Sequence, residues 1–174
     1  MPLLDETRGA EARVFTFKDG LLSPIAHDLE IAIERVRVDW SEQSVTASFD
    51  ATSLRVLHAL VSGRPAANAL SPQDRRKIEQ NIANDVLHTR RFPEARFQSS
   101  AVTGNDDGYL VRGTLTLVGR AHELSAQVRR KDGRLTTELT IDQRDWGITP
   151  YSAMFGTLKL KPELLIRVSV PSEP

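Results

Sequence analysis

The fold is decided by residues 108–142, which read GYLVRGTLTLVGRAHELSAQVRRKDGRLTTELTID. Apolar or small residues occupy alternate positions in three successive runs of this stretch. The three sets are Tyr109, Val111, Gly113, Leu115 and Leu117; Leu124, Ala126 and Val128; and Leu135, Thr137, Leu139 and Ile141. Alternation with a period of two indicates strands that bury one face. Glycine-containing turn sequences at residues 118–120 and 131–133 separate the runs, so the stretch predicts three antiparallel strands joined by hairpins.

The same alternation recurs outside this stretch. Further strands are predicted at residues 14–18, 45–51, 96–102 and 164–170. One strand changes phase, because its apolar residues are odd-numbered from 27 to 33 and even-numbered from 36 to 40. A β-bulge near Glu34 and Arg35 would restore the phase and bend the strand. A closing barrel requires a bend of this kind.

One helix is predicted, at residues 73–88. Ser71 is a suitable N-cap and Pro72 suits the first helical position, while Pro93 is predicted to end the helix. An apolar stripe is formed by Ile78, Ile82 and Val86. The stripe can bury against the outer wall of a barrel or across its mouth. We predict the mouth, with the loop at residues 62–70 free to move and admit an apolar ligand.

Length and composition define the class of protein. The 174 residues suit one domain spanning residues 1–174. About eight strands with short turns predict a mainly β protein, a single antiparallel β-barrel with one inserted α-helix. Lys and Arg together number 23, as do Asp and Glu, so the basic excess of a nucleic-acid-binding protein is missing. The absence of cysteine excludes disulfides and thiolate metal sites.

The first 13 residues, MPLLDETRGAEAR, bear on localisation. They have neither the positive start nor the apolar run of an export signal, and no stretch of the sequence is long and apolar enough to be a transmembrane helix. The expectation is a cytoplasmic protein, unless an export signal has been trimmed from the chain.

Three segments carry a family resemblance. They are residues 85–99 (DVLHTRRFPEARFQS), 113–124 (GTLTLVGRAHEL) and 144–148 (RDWGI). Their motifs, and the order and spacing of the segments, resemble those of the YceI-like family. The resemblance covers most of residues 15–170. The resemblance implies a lipocalin-like barrel with an elongated apolar cavity. It also implies an isoprenoid ligand, prenyl-tailed or quinone-like, and members of that family are often periplasmic.

A cavity is predicted because several inward positions carry small residues, namely Ala47, Ala51, Gly113, Ala126 and Thr137. The predicted ligand-binding residues are His27, Ile31, Ile33, Ala47, Phe49, Val111, Leu115, Leu139, Ile141 and Phe155. His27 would offer a polar contact to a ligand head group; alternatively it is a core or rim histidine bonded to the backbone. Strand alternation looks alike in a hollow and a filled barrel. A filled barrel, acting as a ligand-free interaction or structural module in a cytoplasmic assembly, is therefore the alternative.

The sequence contains no motif typical of a catalytic or metal-binding site. The four histidines show no metal-binding spacing, no serine lies in a nucleophile elbow, and no glycine-rich phosphate loop occurs. We therefore predict a non-enzymatic carrier or sensor of an isoprenoid- or lipid-like ligand, without cofactor or metal. Its predicted partner is an apolar small molecule rather than nucleic acid, and the oligomeric state is left open, with a homodimer as one alternative.

Overall fold

The computed structural model describes residues 7–19, 27–153 and 158–173, which form twelve strands and one α-helix. The strands are β1 (Glu11–Lys18), β2 (Asp28–Ile33), β3 (Val36–Trp40), β4 (Val45–Asp50), β5 (Leu54–Val61), β6 (Arg64–Ala66), β7 (Glu94–Asn105), β8 (Gly108–Leu117), β9 (Arg120–Lys131), β10 (Arg134–Asp142), β11 (Ser152–Ala153) and β12 (Leu158–Pro171). The helix α1 (Pro72–Asn81) continues into a π-helical turn (Ile82–Val86). Two 3₁₀ turns lie at Ala51–Ser53 and Gln143–Trp146.

Antiparallel pairing joins the strands in the order β3-β4-β7-β8-β9-β10-β12-β1-β2-β5-β6, with β11 on β12. Only two residues separate β2 from β3, and only a 3₁₀ turn separates β4 from β5. Because β2 pairs with β5 and β3 with β4, these four segments form one long bent hairpin. Its two sides also pair with β1 and β7, so the curled sheet returns on itself. The predicted class, a mainly β antiparallel barrel, is confirmed.

The strand count differs from the prediction of about eight. Two of the barrel's strands are each divided by the bend, and β6 and β11 are only three and two residues long. The sequence pattern cannot distinguish a bent strand from two strands, because alternation persists on both sides of a bend. Eight continuous strands therefore surround the barrel although twelve segments are assigned among the described residues.

The bend of the hairpin is held by polar contacts between its two sides. Ser53 is fully buried, and its hydroxyl accepts a hydrogen bond from Arg35 N at 2.9 Å. The Asp50 carboxylate accepts from Arg35 Nε at 2.8 Å and from Thr52 N at 2.9 Å. The predicted change of phase is thus real, although Glu34 and Arg35 both leave the strand instead of forming a simple bulge.

We expect Asp50→Asn to destabilise the bend and to reduce the loss of stability in acid. Burial alone raises the pKa of Asp50, but hydrogen bonds from Thr52 and Arg35 outweigh it and hold the pKa below the ordinary 3.8. Because the folded-state pKa is the lower one, the carboxylate stabilises the protein above about pH 4, and this contribution is lost as the pH falls through the folded-state pKa. Urea unfolding at pH 7 should show a loss of about 1–2 kcal/mol, with a smaller difference at pH 3.

Asp39→Asn is the matched control for this prediction. Asp39 is exposed, and among the described residues its carboxylate bonds only to Arg37, two residues away, at 2.9 Å. Exposed pairs of this kind contribute about 0–1 kcal/mol. Equal losses of stability in the two variants at pH 7 would contradict the role given to Asp50.

The helix begins as predicted but ends earlier. Ser71 and Asp74 form a capping box, with each side chain bonded to the other's backbone N at 3.0 Å. At the other end, His88 adopts a left-handed conformation with φ 49°, and Thr89 N donates to Ala83 O at 2.9 Å. These features end the helix as a left-handed capping motif does. The predictions that it runs to residue 88 and is ended by Pro93 are wrong.

The π-helical turn decides which residues face the barrel. Leu87 N donates to Ile82 O at 2.8 Å, across five residues instead of four. In a regular α-helix Asp85 and Val86, three and four positions after Ile82, would both lie on the inward side, and Leu87 would not. The wider turn leaves Asp85 exposed and brings Leu87 to the inner side beside Val86.

The helix lies across one end of the barrel. Ile78 and Ile82 pack on a core cluster of β2 and β5 residues, whereas Val86 packs on a cluster around Trp146. These two clusters belong to different sides of the wall, because β12 and β1 separate β10 from β2. We call this the helix end; the hairpin turns β3–β4, β7–β8 and β9–β10 lie at the opposite end. No helix within the described ranges is long and apolar enough to cross a membrane.

Candidate functional site

The barrel encloses a cavity of about 800 Å³. That volume lies within the range of about 300–1,000 Å³ typical of small-molecule sites. Strand β12 lines it at every inward position from Leu164 to Val170, and also at Leu160. The ten residue steps from Leu160 to Val170 span roughly 33 Å of strand. When the strand is tilted by about 40°, this length corresponds to about 25 Å along the barrel axis. The cavity is therefore elongated, and the barrel is hollow rather than filled.

Nine of the ten predicted ligand-binding residues line this cavity. They are His27, Ile31, Ile33, Ala47, Phe49, Val111, Leu115, Leu139 and Ile141. Phe155 lies outside the described residues. Contact of the nine with a ligand stays a prediction.

The small inward residues leave space at four of the five predicted positions. Ala47, Ala51, Ala126 and Thr137 all line the cavity. Gly113 is the exception, because a Cβ built there would lie 2.6 Å from Phe97 Cζ and 2.4 Å from Gln98 O. The Phe97 ring therefore occupies the space that the glycine leaves, and it is this ring that lines the cavity. The prediction that Gly113 leaves room for a ligand is wrong.

Polar groups border the cavity mainly at the helix end. Asn81 Nδ2 donates to the Tyr151 hydroxyl at 3.3 Å. Gln143 is only 4% exposed, and its carboxamide donates to Lys161 O at 3.3 Å. The sequence pattern does not indicate these three residues, because Asn81 and Tyr151 are 70 positions apart. The alternation that identifies apolar wall residues carries no information on such a pair.

The opposite end of the cavity is largely apolar. Trp40, Val45, Val102 and Leu135 border it there, together with Tyr109. The Tyr109 hydroxyl accepts a hydrogen bond from Arg130 at 3.3 Å, so this phenol already has a charged donor as partner.

His27 lies at the helix end, immediately before β2, and borders the cavity while half-buried. Within the described part of the chain its ring makes no hydrogen bond to the backbone, and the alternative of a core or rim histidine bonded to the backbone stays open. The neighbouring Asp28 carboxylate accepts from Lys18 N at 2.7 Å and closes the strand pair beside it. A polar contact from His27 to a ligand stays a prediction.

The other histidines are dispersed over the barrel. His58 lies 3.6 Å from Glu30, and the His122 ring packs against Trp146 with ring centroids 5.1 Å apart. In the part of the chain that the structure describes, no three His, Asp or Glu side chains come close enough to hold a metal ion.

Trp146 anchors the wall of the cavity at the helix end. The indole is 2% exposed, and its Nε1 donates to Leu115 O at 2.8 Å. It is the last residue of the 3₁₀ turn capped by Asp142, whose pKa is lowered by hydrogen bonds from Arg144. Gly147 then adopts φ 73°, which a residue with a side chain rarely does. The sequence motif RDWGI is thus a corner that turns an aromatic ring inward.

Comparison with known proteins gives one family and several similar structures. A family model described as the YceI-like domain matches residues 10–170. Among curated proteins no match is found. The chain is similar to BcnA of Burkholderia cenocepacia, with a TM-score of 0.58, 18% identity, and coverage of 91% of this chain and 94% of that one.

Two further solved structures have the same fold. One is described as a polyisoprenoid binding domain from Saccharophagus degradans implicated in plant cell wall breakdown (TM-score 0.58, 11% identity, 95% and 94% coverage). The other is the YCEI protein of Campylobacter jejuni (TM-score 0.54, 10% identity, 83% and 85% coverage). At these identities the likeness concerns the fold.

Proposed function

The chain belongs to the YceI-like family, and we propose that its barrel binds an apolar, isoprenoid- or lipid-like ligand in the central cavity. The observation that carries this proposal is the elongated cavity of about 800 Å³ with walls of aliphatic and aromatic side chains. Each 100 Å² of apolar ligand surface removed from water contributes about 2.5 kcal/mol before the costs of association. A long hydrocarbon chain can therefore bind here without any specific polar contact.

A flexible chain suits this cavity better than a compact molecule does. The lining follows β12 over roughly 33 Å of strand, whereas the volume of about 800 Å³ leaves only a narrow cross-section. The Saccharophagus degradans structure, described as a polyisoprenoid binding domain, has the same fold and supports an isoprenoid. The protein would act as a carrier or sensor and not as an enzyme. A cytoplasmic location and a homodimer stay predictions.

Native mass spectrometry of protein purified from its own host tests the proposal. We expect one apolar molecule per chain, released on denaturation and identified as a prenyl or acyl species in the solvent extract. Protein that is unfolded and refolded in detergent-free buffer serves as the empty control. Empty spectra from repeated preparations, together with no uptake of added prenyl alcohols by the refolded protein, would favour a ligand-free module instead.

A further inference from the structure

Polarity is unevenly distributed along the cavity. At the helix end it is bordered by the uncharged side chains of Asn81, Gln143 and Tyr151, which we call the head-group patch. The walls between the two ends are aliphatic and aromatic, apart from hydroxyls such as that of Thr137, which bonds to Gln127 O at 2.9 Å. An amphipathic ligand would therefore enter in one orientation.

The three residues of the head-group patch are held close together. Tyr151 O accepts from Leu160 N at 3.1 Å, and Gln143 Nε2 donates to the next residue of β12, Lys161, at 3.3 Å. Asn81 reaches the same place from the end of α1 by its bond to the Tyr151 hydroxyl. Three separate elements thus meet at the start of β12.

The head-group patch retains hydrogen-bonding capacity that the described residues do not use. The Tyr151 hydroxyl accepts from Asn81, so its own proton is available to donate. The Gln143 carboxamide donates through Nε2, and no described donor bonds to its Oε1. The patch therefore has an unused donor and an unused acceptor, the two kinds of group with which a ligand hydroxyl can form hydrogen bonds.

Charge at this end is balanced. Lys159 Nζ lies 3.8 Å from Asp19, and the Asp74 carboxylate, in the capping box with Ser71, borders the cavity beside Lys77. The residues of the patch itself are uncharged. A phosphate placed there would lose its hydration beside lysines that already have carboxylate partners, Lys159 with Asp19 and Lys77 with Asp74, whereas a neutral oxygen would lose far less.

We propose that the head-group patch holds the neutral oxygen head of the ligand, an alcohol hydroxyl or a carbonyl oxygen. The apolar tail then runs along β12 toward Trp40 and Tyr109. This inference rests on the proposed function and narrows it to uncharged prenyl or acyl compounds.

Three probes with the same fifteen-carbon tail test the proposal: farnesol, farnesyl phosphate and the hydrocarbon farnesene. Each competes with a fluorescent fatty alcohol for the full-length protein. Farnesol is expected to bind most tightly. Tyr151→Phe should lower its affinity about three- to tenfold, the effect of one neutral hydrogen bond, and leave farnesene affinity unchanged.

Ser100→Ala is the control, since it removes an exposed hydroxyl of β7 that does not line the cavity and should alter neither affinity. Asn81→Ala provides a second variant should Tyr151→Phe fold poorly, and it should lower farnesol affinity selectively. Equal binding of farnesol and farnesene, equal losses of both in Tyr151→Phe, or tightest binding of farnesyl phosphate would overturn the head-group assignment while leaving apolar binding intact. Failure of all three probes to bind would overturn the proposed function as well.

Discussion

Replacing Ala47 by phenylalanine is expected to lower the affinity for a prenyl alcohol at least tenfold while leaving the barrel folded. Ala47 is 8% exposed and lines the cavity between Val38 of β3 and Phe97 of β7, its partners across the sheet. A phenyl ring there projects into the space that an apolar tail would occupy. Because that space is otherwise empty of protein, the free energy of unfolding should stay within about 1 kcal/mol of the wild-type value, whereas overpacking a filled core costs about 1–3 kcal/mol.

Calorimetric titration with farnesol and urea unfolding measure the two quantities separately. The matched control is Ala121→Phe, because Ala121 lies exposed on β9 and does not line the cavity. Neither affinity nor stability should change in that variant. A marked loss of stability in Ala47→Phe with unchanged affinity would mean that the cavity does not hold the ligand at this position.

Trp146→Ala should lower the free energy of unfolding by about 3–5 kcal/mol, the range for truncating a buried tryptophan. The indole joins Ile141 and Ile148 in a core cluster that also receives Val86 from the helix region. Its removal leaves a void and deprives Leu115 O of the hydrogen bond that Trp146 Nε1 donates. Urea unfolding at pH 7 measures the loss, and hydrogen exchange should show faster exchange in residues 82–86.

Two further variants test the anchoring role of Trp146. Trp146→Phe keeps an aromatic ring and should lose clearly less stability than the alanine variant. Trp40→Ala removes a half-buried indole from the opposite end and should cost less than Trp146→Ala because the side chain is already partly solvated. A Trp146→Ala variant as stable as Trp40→Ala would contradict the anchoring role.

The walls of the barrel are predictable because period-two alternation is a local signal. A residue such as Val111 or Ile141 faces inward whatever strand lies beside it. The bend near Glu34 and Arg35 is predictable for the same reason, since a change of phase cannot be accommodated without it. The nine described cavity residues were found in this way.

The features that the sequence pattern does not predict depend on contacts between distant segments. The helix ends before Pro93 because His88 adopts a left-handed conformation, and a histidine at this position gives no strong signal of it. The extra residue of the π-helical turn is equally hidden, since the spacing of Ile78, Ile82 and Val86 also suits a regular helix. Tyr151 meets Asn81 only because the chain after β10 returns beside the helix.

The bent hairpin has a further consequence for β5. Beyond the bend, β5 pairs with β2 on one side, while on its other side only β6 pairs with it among the described strands, from Ala59 to Val61. The rest of that edge is covered by α1, whose Glu79 carboxylate accepts from Val56 N at 3.0 Å. An uncovered strand edge is a template for aggregation. A helix that swung fully away to admit a ligand would expose that template, as would detachment of β6, so safe loading favours a small displacement of residues 67–70, between β6 and α1, where Ala69 and Leu70 line the cavity.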